Sequence, residues 1–530
     1  VPFDTIIVGS GFGGAVAALR MAEAGMRVLV LERGRRWTRD TLPRAPDDPW
    51  IWDHANPEQR NGWLDLRIFP HMTVAQGAAV GGGSHIYANI STEAPPISFA
   101  DGWPPEISYS ALKPFYDMVG DVMEVAPVPA NQWTRRMQLV HDAAAASGYE
   151  ARFRQLDLAV RFDSKWTYAD YSKGEAAAAW GKNKHGATQG TCVHLGTCDI
   201  GCRVSARNTL DLNYLYVAEN KHGVEVRPLH LVDRIEPEAA GWRVTFDRLD
   251  GGTRTAGSET ATMLVLSAGS LGSTELLLRN RDIHKTLAGL SPALGKNWSS
   301  NGDFLTPALY TSREVDADIG PTIAAVIDFQ DGSNGGHQFW IQDGGVPGLA
   351  QAYLQRKADA PDTGLRARLL LESVQTLLSR PDPLRGLMPW FAQGVDAGNG
   401  SLSLTAPGPF TQGGTLNLDW DVHASVPLIE TIIDMHRALA ATTGGDAIVP
   451  PTWSLFRDLI TPHPLGGCNM GRDATTGVVD HRGAVFGQRN LFVLDGAIIP
   501  RALGVNPSRT IAALAERNAR LIAQGGSSTT

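Results

Sequence analysis

Cysteine is scarce in this chain, with Cys192, Cys198, Cys202 and Cys468 the four among 530 residues. The first three stand as C-x5-C-x3-C, a spacing that matches no common zinc site. Structural thiols or one local disulfide are expected, and no metal centre. Charge is modest as well: 19% of residues are Asp, Glu, Lys or Arg, and the formal net charge is −8. Without clustered Lys and Arg there is no nucleic-acid footprint. No apolar run approaches the roughly 18 residues of a spanning helix, so no integral membrane segment is expected. A basic n-region with a following apolar h-region is also missing, because Val1 leads almost at once into a core strand. Since an initiator Met is absent too, a processed, secreted mature form stands open beside the simpler cytoplasmic one. Internal repeats and low-complexity tracts are lacking, and only 525–530 reads as disordered. What remains is a chain of 43% hydrophobic residues, long enough to bury a large core and to form more than one domain.

Thr5 to Val8 reads as a buried parallel strand, Ala15 to Ala24 as a helix and Arg27 to Glu32 as a second strand. That is a βαβ unit of the doubly wound type. Met263 to Arg279 has the same flavour, an apolar strand, a glycine turn and a helix. So does Asn490 to Ala497, a strand ending in Asp-Gly, with a helix from about Pro507 to Ala523. Between these segments the texture changes. SLSLT (401–405) and TLNLDW (415–420) alternate with period two, as half-buried antiparallel strands do. Helical stretches lie near 365–378 and 428–439. The reading is an α/β doubly wound domain plus an α+β domain with a large antiparallel sheet and helices on one face, both discontinuous. Segments 1–40, 72–92, 200–310 and 465–530 go to the first, and 41–71, 93–199 and 311–464 to the second.

Gly9, Gly11 and Gly14 stand in G-x-G-x-x-G spacing directly after the first strand, with Gly13 as an extra. The first glycine allows a sharp turn, the second lets the backbone approach a pyrophosphate, and the third lets the helix pack on the strand. N–H groups at the helix start then face the phosphate charge. Glu32, at the end of the second strand, suits ribose hydroxyls. Arg33 beside it is either a 2′-phosphate partner or solvent-facing. A dinucleotide site follows; FAD and NAD are not separated by these residues.

The far end of the chain carries HPLGGCNMG, NLFVLDGAIIP and GVNPSRTIAALAERN. Together with the opening GSGFGG, with AQGAAVGGGSHIYAN (75–89) and with LSAGSLGSTELLLR, these resemble the glucose–methanol–choline (GMC) flavoprotein oxidoreductases, within them the cholesterol-oxidase-like branch. The resemblance implies a two-domain fold with non-covalently bound FAD. It assigns Phe12 and the opening glycines to the cofactor's phosphates. Gly77, Gly82, Gly83 and Ser84 would line the pyrophosphate and ring. Val232 would meet the adenine through its backbone, Ala268 and Gly269 the adenosine side, Asp495 and Gly496 the ribityl chain, and Pro507 the flavin edge. His85 stands one place short of the position where some members bind FAD covalently, so a packed histidine is expected.

Flavin oxidation of an alcohol needs a proton acceptor near the hydroxyl, and the reacting carbon held against flavin N5. By the resemblance, His463 in HPLGG is the acceptor, and Asn506, just before Pro507, orients the substrate oxygen. His suits the task because its unperturbed pKa, about 6.5, is near working pH. Where cholesterol oxidases carry a double-bond-moving glutamate, the matching tract FWIQDGGVP (339–347) has Gln342. Either Asp343 substitutes or oxidation proceeds without isomerisation, and the second is favoured. GLMPWFAQG (386–394) is either a lid over an apolar pocket or ordinary core. The expected partners are a bulky, largely apolar alcohol and O2 or another electron acceptor. A flavin-retaining lyase, a nicotinamide-dependent dehydrogenase and a non-catalytic binding protein are the rival readings.

Overall fold

The computed structural model describes residues 3–348, 382–405 and 414–525. The expected helix at 365–378 and most of the 525–530 tail lie outside them. A run of branched apolar residues makes a strand buried on both faces, and such runs open the chain. β1 (Phe3–Val8) leads through α1 (Phe12–Glu23) to β2 (Val28–Leu31), whose four residues are all buried.

Further along come β3 (Leu64–Phe69), β4 (Met72–Gly77), α2 (Arg135–Ala146) and β5 (Phe153–Gln155). They are followed by β6 (Glu225–Arg227), β7 (His230–Glu238), β8 (Gly241–Asp250), β9 (Thr253–Leu266) and α3 (Gly269–Asp282). β9 does two jobs. Its C-terminal half lies between β1 and β18 (Leu491–Val493), parallel to both. Its N-terminal half runs on antiparallel to β8, which pairs with β7. The resulting sheet has the order β6-β2-β1-β9-β8-β7, with β18 also on β9. The last helix, α5 (Ser508–Ala523), packs on α1, and Arg20 there meets the buried Glu516 at 2.7 Å.

A second sheet is antiparallel. It contains β10 (Phe304–Tyr310), β11 (Ala325–Asn334), β12 (His337–Asp343), β13 (Leu387–Gly394) and β16 (Gly445–Ala447). Its order is β16-β10-β13-β12-β11-β5. β10 falls within the 200–310 range assigned from sequence to the cofactor half, yet it pairs here. α2 and α4 (Val426–Thr442) cover one face: Arg136 lies 3.6 Å from Asp343, and His436 Nδ1 is 2.9 Å from Thr306 Oγ1. Because side chains alternate along a strand, the opposite face carries Leu305, Phe391, Gln393, Gln342 and Trp340. Register sets Leu305 and Gln342 on either side of Phe391, and Trp340 beside Gln393.

GLMPWFAQG is therefore an inner strand of this sheet and not a lid. Met388 and Trp390 are fully buried. The two period-two stretches are strands, β14 (Ser401–Leu404) and β15 (Leu416–Asp419), but among the described strands they pair only with each other. A third, small sheet joins β17 (Leu459–Thr461) in parallel to β4, which pairs with β3. All four cysteines are free, so no local disulfide forms. Among the described residues no helix is long and apolar enough to cross a membrane.

Candidate active site

The glycines divide into those that pack and those that line a groove. Gly9 turns the chain at φ 96°, and a Cβ on it would lie 2.4 Å from Ser267 O. On Gly13 a Cβ would fall 1.5 Å from Leu494 O, and on Gly14 2.0 Å from Gly9 O. Gly13, an extra by the sequence motif, is where α1 meets the end of β18. A Cβ on Gly77 would be 2.4 Å from Gly82 O, and one on Gly82 would be 2.7 Å from the Gly11 α-carbon. The two glycine-rich segments thus touch backbone to backbone. Gly11, Gly83 and Gly269 differ, since a Cβ on any of them would meet nothing closer than 3.9 Å. Gly11 stands at the start of α1, where unpaired N–H groups and the helix dipole favour phosphate, whereas the N–H of Gly269, at the start of α3, is already on Asp495 at 2.9 Å. This cradle, open where a side chain would fill it, fits the pyrophosphate of a dinucleotide.

Glu32 is buried at the end of β2. Its carboxylate accepts from Ser10 N and Oγ at 3.0 and 2.7 Å and from Gly34 N at 2.9 Å. His230 N donates to Glu32 O at 2.8 Å, which brings the start of β7, with Val232, to the same end. Arg33 is held by protein groups. Its guanidinium pairs with the buried Asp65 at 2.8 Å and lies over the Trp52 ring at 5.0 Å. Burial opposes ionisation of Asp65, but Arg33, His54 and Arg67 together hold its carboxyl well below the usual range.

In the second glycine segment the buried Ser84 hydroxyl donates to Gly81 O at 2.7 Å and accepts from Leu210 N at 3.2 Å. His85 Nε2 lies 2.8 Å from Val80 O, and burial lowers the imidazole pKa against the pull of Asp211, so this ring is packed and hydrogen-bonded to the backbone. Phe12 meets the ring of Tyr87 edge-on at 5.5 Å. Sequence reasoning missed Arg207, which is buried and donates to Asn89 Oδ1 at 2.7 Å, to His85 O at 3.1 Å and to Ser84 O. That one side chain clamps the 84–89 loop. No motif marks it.

Asp495 follows β18 and is buried. It accepts from Gly269 N at 2.9 Å, Ser273 Oγ at 2.5 Å and Ala497 N at 2.8 Å, and Ser273 Oγ in turn accepts from Ala268 N at 3.0 Å. Burial pushes the Asp495 carboxyl up to about 6, against those donors. Gly466 N donates to Gly496 O at 3.0 Å, so this turn lies against the loop that holds His463. Pro507 caps α5 one position earlier than the first-turn proline expected.

His463 and Asn506, 43 residues apart, do converge: Asn506 Nδ2 is 3.4 Å from His463 Nε2. The other ring nitrogen, Nδ1, faces both oxygens of Asp303 at 2.9 and 3.0 Å. Asp303, just ahead of β10, is buried, and burial raises its pKa against the pull of His463 and of Thr461, whose hydroxyl is 2.6 Å away. Thr461 Oγ1 also accepts from His463 N at 2.9 Å, fixing the loop. Gln393 reaches Nδ1 too, at 3.2 Å. Its amide orientation is set by Trp340, whose indole N–H, a donor only, holds Gln393 Oε1 at 2.6 Å. Of the two neighbours the carboxylate makes the stronger, charge-assisted bond. The proton therefore sits on Nδ1, and Nε2 keeps a lone pair. On the far side Gln342 Nε2 donates to Asn506 Oδ1 at 2.9 Å. Asp343, the next residue, points the other way, accepting from Ala324 N and Ala325 N at 2.8 and 2.7 Å. It cannot stand in for an acid beside Asn506.

Known proteins give an independent view. The sequence pattern described as GMC oxidoreductase matches residues 414–515, and that described as FAD binding domain matches 4–41. Cholesterol oxidase of Mycobacterium tuberculosis (strain ATCC 25618 / H37Rv) is 31% identical over 98% of this chain and 91% of its own length. Cholesterol oxidase of Acinetobacter baumannii is 29% identical over 97% and 93%. Among solved structures, pyridoxine 4-oxidase from Mesorbium loti superposes with a TM-score of 0.66 at 18% identity, covering 99% of both chains.

Proposed function

The chain belongs to the GMC oxidoreductase family and is an FAD-dependent oxidoreductase acting on an alcohol; we propose that the alcohol is bulky, largely apolar and secondary, sterol-like or cyclic, and that the carbonyl forms without movement of a double bond. The observation that carries this reading is the meeting of the His463 lone pair, backed by Asp303, with the Asn506 amide. His463 Nε2 takes the hydroxyl proton. Asp303 keeps the other proton on Nδ1 and stabilises the imidazolium that forms, as a buried carboxylate does for a histidine base. Asn506 Nδ2 donates to the substrate oxygen as charge builds there. Bound in the glycine cradle, FAD supplies the acceptor for the hydride leaving the carbinol carbon.

Two observations support the finer points. Phe391 lies 6.5 Å ring to ring from His463, and Leu305 beside it in register is 41% exposed, giving an apolar edge next to the base. The side chain facing Asn506 is the neutral amide of Gln342, which cannot carry a proton between carbons at neutral pH. Dioxygen is the favoured final acceptor because relatives similar to this chain are named oxidases.

An anaerobic screen of sterols, cyclic alcohols, long-chain alcohols and sugars tests the reading, followed by admission of air. Bleaching of the flavin band by sterols or cyclic alcohols, with recovery in air, is expected. Turnover with an unchanged spectrum would mean a lyase, and bleaching without recovery in air would mean another acceptor. His463→Ala should lower kcat by roughly 10²–10⁴, the usual worth of a positioned base, with FAD retained. Full activity in that variant removes His463 from the mechanism.

A further inference from the structure

An asparagine amide has two orientations of nearly equal shape, related by a half-turn, and only its hydrogen-bond partners choose between them. The backbone leading to Asn506 is well held. Asn301 Oδ1 accepts from Leu503 N and Gly504 N, both at 2.9 Å, and Asn301 Nδ2 donates to Val505 O at 2.9 Å. None of these bonds touches the Asn506 amide. Among the described residues two side chains do, His463 at Nδ2 and Gln342 at Oδ1.

We infer that Gln342 is a positioning residue, whose N–H on Asn506 Oδ1 keeps the asparagine NH2 turned toward His463 Nε2 and the substrate oxygen. The polarity runs consistently along Asp303, His463, Asn506 and Gln342, while the Gln393 NH2 at 3.2 Å from Nδ1 is set donor against donor beside it. The Asp303 carboxylate accepts from Nδ1–H, Nε2 presents a lone pair to Asn506 N–H, and Asn506 Oδ1 accepts from Gln342 N–H. Were Asn506 reversed, its oxygen would face a lone pair, acceptor against acceptor. Gln342 is fully buried, and its Oε1 has no hydrogen-bond partner among the described residues. The amide therefore leaves one of its own groups unpaired while serving Asn506, an arrangement that buried polar groups rarely keep without a use.

Gln342→Glu tests this with one atom changed, on the holoenzyme with the best alcohol from the screen above. A protonated glutamic acid can still donate to Asn506 Oδ1, whereas a carboxylate cannot. The expected kcat/KM profile gains an alkaline limb absent from the natural enzyme, with activity recovering as pH falls and the acid reprotonates. Gln342→Leu, which donates at no pH, should lose roughly tenfold in kcat, the worth of one hydrogen bond, with no such limb. Flavin content and the shift of the flavin band on binding a non-reacting ketone establish that both variants hold cofactor and ligand. Should Gln342→Glu bind flavin poorly when ionised, recovery at low pH in the same protein remains the readout. A Gln342→Glu profile of natural shape, or Gln342→Leu within twofold in kcat, overturns the inference. It rests on His463 as the base, and the two fail differently. An active His463→Ala sinks both, while a dead His463→Ala beside an unaltered Gln342→Glu sinks only this one.

Discussion

Gln342 and Asp343 are neighbours in the chain on opposite faces of β12, and that half-turn decides what each does. Asp343 sits under α2 beside Arg136, and burial pushes its carboxyl up to about 6 from an ordinary 3.8. Between those values the folded chain holds a proton that the unfolded chain has released. The group's contribution to stability is thus full below the unfolded value and is lost as pH rises through about 6. The loss is on the order of 3 kcal/mol at 1.36 kcal/mol per unit. Asp343→Asn removes this titration. Unfolding measured at each pH should show the natural protein losing stability relative to the variant between about pH 4 and 6, with a flat difference above about 7; a difference that ignores pH counts against it. His463 and Asn506 were legible as candidates through the resemblance of HPLGG and GVNPSRT to GMC segments, since Pro and Gly punctuation alone would only have marked them as loop residues. Asp303 was not, since the residue orienting a histidine is set by spatial contact, and Asn-Gly-Asp reads as an ordinary turn. The partner of Arg33, Asp65, was not legible for the same reason, being 32 residues away.

Among the elements, the glycine cradle makes a sharp contrast. A methyl on Gly13 would overlap Leu494 O, a backbone atom that cannot step aside, whereas Gly11 has room. Gly13→Ala should therefore fail at the level of the fold, giving little soluble protein with or without added FAD. Gly11→Ala should fold and yet lose flavin, because the methyl occupies the space that the pyrophosphate needs. Expression yield and a flavin titration separate the two outcomes. Soluble, yellow Gly11→Ala protein would mean that the groove does not seat the phosphates. The βαβ unit was readable because parallel strands are continuous apolar runs and the helix between them begins at glycine. The inner strand β13 was harder. Its Pro389 suggested a loop, since a strand interior rarely tolerates proline, but it stands opposite Pro307 of β10 in a pair whose backbone groups point outward, Pro389 O accepting from Gly344 N at 2.9 Å and Pro307 O from Ile448 N at 2.8 Å, so neither missing donor is needed between these two strands.

For the whole molecule the decisive fact is how often the chain crosses between its two large sheets. β1, β2, β6 to β9 and β18 belong to one, and β5, β10 to β13 and β16 to the other. We propose dividing the cofactor and substrate halves accordingly, with the boundary ahead of Phe304 and not at 310. A chain ended after Tyr310 would keep α1 and β9 but strip β18 from β9 and leave Arg20 without Glu516. Such a fragment is expected to aggregate and to hold no flavin, as judged by size-exclusion chromatography and absorbance; a soluble yellow fragment would show that the C-terminal pieces are dispensable. The period-two pattern gave the antiparallel class correctly but not the order of strands, because local alternation carries no record of distant pairing.

The smallest sheet has the longest reach. β4 runs into Gly77, which abuts Gly82 of the cradle, and β17 runs into the His463 loop, with Leu459 opposite Met72 and Thr461 opposite Val74. The pairing works as a caliper whose two jaws are the proposed phosphate seat and the proposed base. A slip by one residue would shift one jaw by about 3.3 Å, nearly the whole span across which a proton or hydride can travel. Reach between reacting partners in this enzyme is therefore a matter of counting residues along two short strands.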